Sequence, residues 1–262
     1  MLMGLEINRA LGVGAIQPNI YDINRNRFNI GFGSELNSDT FEYSSVERYT
    51  SETALRKMII ANPKIKNIVK DFNPDLKLNI KELNELKTGH LNDTKNTVKG
   101  ITENLPFALK NKVDAKAVED AAYLHDLGKV LIPTEILNKP DKLNEYETKI
   151  MHKHSELGYE LLKTTGINPK ILNLVRNHHQ NAKKTGYPWV GKDFNADLNL
   201  QILSIADKYS ALTESRAYKK SMTPKQALTI IYQDVKDGKL HPFVFKALVN
   251  YAAEQSINST VA

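Results

Sequence analysis

The 262-residue sequence contains no cysteine, a single tryptophan and no hydrophobic run long enough to cross a membrane. Without cysteine, disulfides, thiolate metal sites and cysteine nucleophiles are excluded. The first residues lack the basic region that opens a signal peptide. Positive charge is only slightly in excess, with 36 Lys and Arg against 30 Asp and Glu, and no basic stripe is interleaved with aromatic residues. We therefore expect a cytoplasmic protein that binds neither a membrane nor a nucleic-acid polymer.

The composition changes along the chain. Residues 1–50 are rich in Asn, Gly and Ser without a sustained period, and we expect them to form a poorly ordered arm or a small segment. Residues 51–84 are predicted to be a helical extension, and residues 85–256 the functional domain. Helix signals recur in this second part; Asn144 with Glu147, for example, fits a capping box. No strand alternation is found there, so the predicted fold class is all-α.

Several predicted helices direct imidazole or carboxylate groups into the core. His125 and Asp126 directly follow an apolar helix, and His178 and His179 each follow apolar positions by four and seven residues. Asp207 lies four residues after a leucine of the next helix. A lone histidine is commonly a surface or hydrogen-bonded core residue, but a set of inward-facing polar groups is costly unless something satisfies it. Bound metal ions are the best explanation.

The ligand types narrow the metal. Imidazoles and carboxylates without thiolate favour Fe or Mn, with Ni, Co and Zn also compatible, over Mg or Ca. Five histidines around an aspartate that can bridge are too many ligands for one four-coordinate ion. We therefore predict two divalent transition-metal ions roughly 3.5–4 Å apart, which can hold a hydroxide nucleophile. Basic residues near the ligands favour phosphate contact over a merely solvated face: Lys129, Arg216, Lys219 and Lys220.

The segment HDLGKVLIPTEILNKPDKLNEYETKIMHKHSELGYELL resembles the central part of HD-GYP domains. These are the bacterial cyclic-dinucleotide phosphodiesterase branch of the HD phosphohydrolases. The resemblance covers about residues 86–250, in the family's order and with similar spacing. It implies an HD-domain helical bundle with a GYP-type extension. The matching motifs are GH at 89–90, HDLGK at 125–129, His154 with Gly158, HHQNAKKTGYP at 178–188 and IADKYSALTESRAYKKSMTPKQAL.

The resemblance also implies roles for individual residues. Asp126 would bridge the two metals and act with Lys129 in catalysis. Lys129, Arg216 and Lys219 would hold phosphate oxygens, and Tyr187 would pack on a base or hydrogen-bond to phosphate. The implied metal ligands are His90, His125, Asp126, His154, His178, His179 and Asp207.

The sequence departs from the family pattern at a few positions. Gln180 stands where the family usually has Glu, and Lys183 and Lys184 replace the Asp-Gly of the loop. Ser210 replaces a common Asp, and His241 lies in a segment where Phe-Asp-Pro is frequent, which favours a structural role for this histidine. None of these changes removes a predicted ligand of a two-metal site, so they bear on substrate identity and rate.

A third metal, which some family members hold, would need an acidic ligand shortly before the first histidine. Leu86 occupies the position four residues before His90. Glu85, five residues before, would be rotated roughly 140° away on a continuous helix. We therefore predict two metals, while a helix break at Thr88-Gly89 would return Glu85 to the site.

The leading hypothesis is a metal-dependent phosphodiesterase that hydrolyses a cyclic dinucleotide, cyclic di-GMP first, through a metal-bridging hydroxide. Two alternatives stay open: a catalytically weak signalling module that binds metal and nucleotide, and an HD hydrolase of another phosphate ester. A homodimer or a signalling protein partner is compatible with each of them.

Overall fold

The computed structural model describes residues 46–214 and 221–261, and its regular elements in these ranges are all helical. The predicted all-α class is therefore confirmed. A 3-10 helix, Glu47–Thr50, comes first, and a second one, Leu127–Leu131, separates α6 from α7. The α-helices in chain order are α1 (Glu52–Ala61), α2 (Lys64–Val69), α3 (Ile80–Thr88), α4 (His90–Glu103), α5 (Phe107–Lys110), α6 (Ala115–Leu124), α7 (Thr134–Leu137), α8 (Glu145–Leu162), α9 (Pro169–Asn177), α10 (Leu198–Thr213), α11 (Pro224–Lys236) and α12 (Pro242–Val261).

Two of the sequence predictions concern the start of the chain. The predicted arm at 1–50 lies outside the described residues up to residue 45, but residues 47–50 form a short helix. The reason is local, because Thr50 donates its hydroxyl to the Glu47 carbonyl at 2.8 Å. The domain boundaries at 50 and 84 stay predictions.

Side-chain caps fix where several helices begin. The predicted capping box of α8 is present: the Glu147 amide donates to Asn144 Oδ1 at 2.9 Å, and the Asn144 amide donates to Glu147 Oε2 at 2.8 Å. Thr223 and Gln226 form a second capping box at the start of α11. Such caps satisfy backbone N–H groups that the first turn of a helix leaves without partners. They set the register that later places the functional side chains.

The core is built around α4, which packs against α6, α10 and α12. Leu91, Val98 and Ile101 of α4 are fully buried in these contacts. Helix α9 packs on α6 and α8, and the 3-10 helix Leu127–Leu131 lies along α8. This arrangement brings the first residue of α4, the C-terminal ends of α6 and α9, and the middle of α8 and α10 to one region.

A buried carboxylate ties the early helices to this bundle. Glu160 of α8 accepts hydrogen bonds from Asn62 Nδ2 and from Lys64 Nζ, both at 2.8 Å. Burial alone would raise the pKa of Glu160, but Lys163 and Lys64 lower it.

Among the described residues, none of the helices combines the length and apolar character that a membrane crossing requires.

Candidate metal centre

Five helices bring all seven predicted ligands to one place. His125 and Asp126 follow the last turn of α6, and His178 and His179 follow the last turn of α9. The other three lie within helices: His90 opens α4, His154 lies in α8 and Asp207 lies in α10. The His179 side chain is 27% exposed, whereas the other imidazoles of the cluster are almost completely buried.

Three imidazoles form the first set of ligand atoms, and we call it the histidine set: His154, His178 and His179. The Nε2 atom of His154 lies 3.2 Å from Nε2 of His178 and 3.2 Å from Nε2 of His179. With metal–nitrogen bonds of about 2.0–2.1 Å, two imidazole nitrogens on one ion lie roughly 3.0–3.4 Å apart. The spacing therefore fits ligands of a common ion.

Two imidazoles and two carboxylates form the second set, which we call the mixed set: His90, His125, Asp126 and Asp207. His90 Nε2 lies 3.1 Å from Asp207 Oδ1 and 3.6 Å from Asp126 Oδ2. His125 Nε2 lies 3.4 Å from Asp126 Oδ2 and 3.6 Å from Asp207 Oδ1. Four ligand atoms thus face one another around a second position.

Asp126 stands between the two sets. Its Oδ1 lies 3.3 Å from His154 Nε2 in the histidine set, while Oδ2 faces the mixed set. Lys129 Nζ donates to the same Oδ2 at 2.6 Å. Burial alone would raise the pKa of Asp126, but Lys129 and His125 hold it well below the usual range. One oxygen toward each set is the arrangement that a bridging carboxylate requires.

Backbone carbonyls fix the tautomers of three ligands. Nδ1 of His125, His154 and His178 lies 2.8, 2.7 and 2.8 Å from the carbonyl oxygen three residues earlier. Each Nδ1 must therefore carry the proton and donate it, which leaves the Nε2 lone pair directed into the cluster. A hydrogen bond at the distal nitrogen is the common second contact of metal-binding histidines.

The charge states of the histidine set suit a divalent metal. Burial lowers the pKa of His154 to about 3 and that of His179 to about 4, so the histidine set is neutral at pH 7. Burial would also lower the pKa of His125, but the carboxylates of Asp126 and Asp207 raise it to about 10, so in the metal-free protein Nε2 of His125 carries a proton that a metal ion would displace. Nε2 of His125 is buried and has no hydrogen-bond partner within the described part of the chain. A metal ion would satisfy this atom, so the residues fit the group.

A glycine allows the two motifs of the centre to approach each other. A Cβ atom at Gly128 would lie 1.9 Å from the His154 carbonyl oxygen and 2.6 Å from the Gly158 amide nitrogen. Only glycine therefore permits the turn after Asp126 to lie directly on α8. The HDLGK and HxxxG segments are therefore in direct backbone contact, with Gly128 against His154 and Gly158.

The cluster lies in a cavity of about 960 Å³. Lys129 and Tyr187, both predicted to contact substrate, line this cavity together with every predicted metal ligand except His125. The Tyr187 ring lies 4.5 Å from the His179 ring and stacks on His152 at 3.6 Å. The predicted phosphate ligands Arg216 and Lys219, with Lys220, lie outside the described residues.

Glu85 lines the same cavity as His90. Helix α3 ends at Thr88, and Gly89 breaks the chain direction before α4 begins, which is the break that would return this residue toward the site. The Glu85 carboxylate lies 3.7 Å from Lys81 and its side chain is mostly exposed. Two metals remain the prediction.

Glu214 was missed by sequence reasoning. It follows the last turn of α10, and its Oε2 lies 3.5 Å from His90 Nδ1. His90 opens its helix, so no earlier turn of α4 supplies a carbonyl to its Nδ1 nitrogen. The signal in the sequence was the position of Glu214 seven residues after Asp207, two turns along the same face.

The departures at Ser210 and His241 have clear structural environments. Ser210 Oγ lies 3.4 Å from Thr97 Oγ1, across the contact between α10 and α4. His241 precedes α12, and its Nδ1 accepts a hydrogen bond from the Phe243 amide at 3.2 Å. The predicted structural role of His241 is that of a helix cap.

An all-helical bundle that gathers imidazole and carboxylate groups in one cavity is a class of protein suited to binding divalent metals. The sequence model of the HD domain matches residues 77–243, more than half of the chain. The chain belongs to the HD-domain family, in its HD-GYP branch.

Curated relatives support this assignment. Over 134 residues the chain is 34% identical to 3'3'-cGAMP-specific phosphodiesterase 1 of Vibrio cholerae serotype O1, covering 51% of this chain and 31% of that protein. Over 125 residues it is 36% identical to the cyclic di-GMP phosphodiesterase response regulator RpfG of Xanthomonas campestris pv. campestris, covering 45% and 32% respectively. The chain thus spans about a third of the length of the curated relatives it matches.

A solved structure has the same fold. The HD domain of the phosphodiesterase PgpH of L. monocytogenes, in complex with cyclic-di-AMP, superposes with a TM-score of 0.50 at 18% identity. The match covers 79% of this chain and 95% of that one.

Proposed function

We propose that this protein is a metal-dependent phosphodiesterase that opens a cyclic dinucleotide by hydrolysis of one phosphodiester bond. The observation that carries the proposal is Asp126, which directs one oxygen toward each of two ligand sets at the base of a large cavity. The similarity to phosphodiesterases of cyclic di-GMP and 3'3'-cGAMP supports this substrate class. Cyclic di-GMP is the first candidate.

The two ligand sets would each hold one divalent ion, with Asp126 shared between them. Bound ions of this kind supply Lewis acidity and lower the pKa of a coordinated water. Fe or Mn are the proposed metals, because imidazole and carboxylate ligands without thiolate suit them. In the overall reaction, the water oxygen bonds to phosphorus, the bond from phosphorus to one ribose oxygen breaks, and that oxygen takes up a proton.

Residues of the cavity wall would hold the phosphate. Lys129 Nζ lies beside Asp126 and its side chain is 17% exposed, so it can place positive charge against a phosphate oxygen. Burial raises the pKa of Tyr187 above its ordinary value. Its phenol therefore stays protonated and can donate a hydrogen bond. We propose the same phosphate-binding role for Arg216 and Lys219 from the family resemblance.

The test uses the full chain, stripped of metal with a chelator and reconstituted anaerobically with Fe(II) or Mn(II). Elemental analysis should give two equivalents, and chromatography should show a linear dinucleotide from cyclic di-GMP, 3'3'-cGAMP or cyclic di-AMP. Asp126→Asn should lose both metal and product. His241→Gln, a histidine change outside the cavity, should retain both.

Two outcomes would overturn the proposal. A wild-type protein that stays free of metal after reconstitution would remove its basis. Tight dinucleotide binding without product under any metal would establish the alternative, a module that binds metal and nucleotide without turnover.

A further inference from the structure

Gln180, at the position where the family usually has Glu, uses both ends of its carboxamide. Nε2 donates to the Pro188 carbonyl oxygen at 2.6 Å, and Oε1 accepts from the Gly186 amide at 3.3 Å. The residue is only 2% exposed. The two bonds span the tripeptide Gly186-Tyr187-Pro188 from both sides, so one side chain fixes the backbone on either side of Tyr187.

The tripeptide lies tightly on the metal centre. A Cβ atom at Gly186 would be 1.9 Å from the His179 carbonyl oxygen, so the loop backbone rests on the backbone of a ligand. Between the two bonds of Gln180, the Tyr187 ring stacks on His152 with 11° between the ring planes. A second neighbour of the Tyr187 ring is His179, 4.5 Å away between ring centroids.

A carboxylate cannot make both of these bonds. An ionised Glu side chain only accepts, so it would pair with the Gly186 amide but place negative charge against the Pro188 carbonyl oxygen. A buried carbonyl without its donor, facing an anion, costs more than the loss of one hydrogen bond. The amide at position 180 therefore makes both bonds without a change of protonation, whereas a Glu side chain would have to be protonated to do so.

We propose that Gln180 is a positioning residue. Its two hydrogen bonds to the loop, which we call the latch, hold Tyr187 over the candidate metal centre and so set the affinity for the nucleotide. This inference rests on the proposed function for its substrate, while the latch itself is a property of the apoprotein. Gln180 lines the cavity, but its carboxamide bonds to backbone atoms of the loop, so we infer that its effect on the substrate passes through Tyr187. We therefore expect Gln180→Glu, which restores the usual family residue, to weaken nucleotide binding.

A tryptophan next to the tripeptide can report the motion of the loop by its fluorescence. Trp189, the only tryptophan, directly follows Pro188 and is 85% exposed. Time-resolved fluorescence anisotropy of Trp189 should show a larger nanosecond motion in Gln180→Glu than in the wild type. The apparent KM for the dinucleotide should rise about tenfold, which corresponds to about 1.4 kcal/mol, while kcat falls less and the metal content stays at the wild-type value.

Gln201 provides a matched control. It is also buried, donates to the Ala196 carbonyl at 2.7 Å and accepts from the His241 amide at 2.7 Å, so Gln201→Glu imposes the same chemical change at another position of the cavity wall, where the hydrogen bonds do not involve Gly186 or Pro188. This variant should lower the stability without increasing the motion of Trp189. If Gln180→Glu does not fold, Gln180→Met removes both bonds without adding charge and should show the same increase in motion.

Wild-type anisotropy in a folded Gln180→Glu or Gln180→Met protein would overturn the latch, and so would an equal effect from Gln201→Glu. A changed anisotropy with an unchanged KM would overturn the link from the latch to nucleotide binding. If the wild type hydrolyses no dinucleotide, the proposed function fails, and the anisotropy still decides the latch independently.

Discussion

The metal-free protein should lose stability as the pH falls below about 6.5, because the histidine set stays neutral when folded. Burial lowers the pKa of His154 to about 3 and that of His179 to about 4. Burial, together with the neighbouring imidazole of His179, lowers the pKa of His178 well below its usual range. In the unfolded chain the same three side chains bind protons near pH 6.5.

The direction of this pH dependence follows from the number of protons that the folded and unfolded states bind. Between about pH 6 and pH 5 the unfolded state binds up to three more protons at these residues than the folded state, and each contributes about 1.4 kcal/mol per pH unit. The free energy of unfolding should therefore fall by about 4 kcal/mol per pH unit in this range. His125 has the opposite effect on stability, because its pKa is raised to about 10. Its contribution to the free energy of unfolding is complete below about pH 6.5 and is lost as the pH rises toward 10.

Urea unfolding of the chelator-treated protein at several pH values measures this slope. His178→Gln removes one of the three protons and should reduce the slope by about 1.4 kcal/mol per pH unit. His241→Gln makes the same substitution at a helix cap outside the cluster and should leave the slope unchanged. A free energy of unfolding that is constant from about pH 6.5 to pH 5 would refute the buried, neutral state of the histidine set.

Four substitutions test other parts of the site. Lys129→Met should keep both metals but lower kcat by about 10²–10³-fold, since a charge that stabilises the phosphate is lost. Gly128→Ala should lower the metal content in elemental analysis, because its methyl group would lie 1.9 Å from a carbonyl oxygen of α8. Glu214→Gln should weaken metal affinity by about tenfold in chelator competition, since it removes the anion beside Nδ1 of His90. Lys184→Gly should stabilise the protein by about 0.5–1 kcal/mol in urea unfolding, because relief of the positive φ exceeds the entropy cost of glycine.

Each of these expectations has a contrary result. Loss of metal from Lys129→Met would make the lysine a structural partner of Asp126. Normal metal content in Gly128→Ala would show that α8 can move away from the added methyl group. Normal metal affinity in Glu214→Gln would show that this carboxylate does not support metal binding. A less stable Lys184→Gly protein would mean that the lysine side chain, which donates to the Lys192 carbonyl, outweighs its backbone strain.

Much of the fold was predictable because its determinants are local. The capping box at Asn144 and Glu147 depends on residues three positions apart, and it forms as the sequence indicates. The gathering of the metal ligands was predictable for a different reason. His178 and Asp207 share helix faces with buried aliphatic residues, so burial of those faces carries the polar groups inward.

The contacts that the sequence did not reveal join residues whose separation is set by tertiary packing. Glu214 approaches His90 only because α10 lies along α4. His152 belongs to no motif, and its stacking on Tyr187 depends on where the loop after α9 returns to α8. The helical period places Glu214 on the same face as Asp207, but it does not predict the distance from Glu214 to His90 or from His152 to Tyr187.

The departures in the loop after α9 are consistent with one another once the backbone is known. Lys184 stands where the family has Gly and still adopts the left-handed φ of 59° that glycine favours. Gln180 supplies the donor that the Pro188 carbonyl needs, which an ionised Glu could not. The loop therefore keeps a left-handed turn and a clamped Tyr187 while Lys183 and Lys184 make it more positive. Because none of these residues is a predicted metal ligand, the changes would alter the charge presented to the proposed nucleotide substrate and leave the predicted ligands in place.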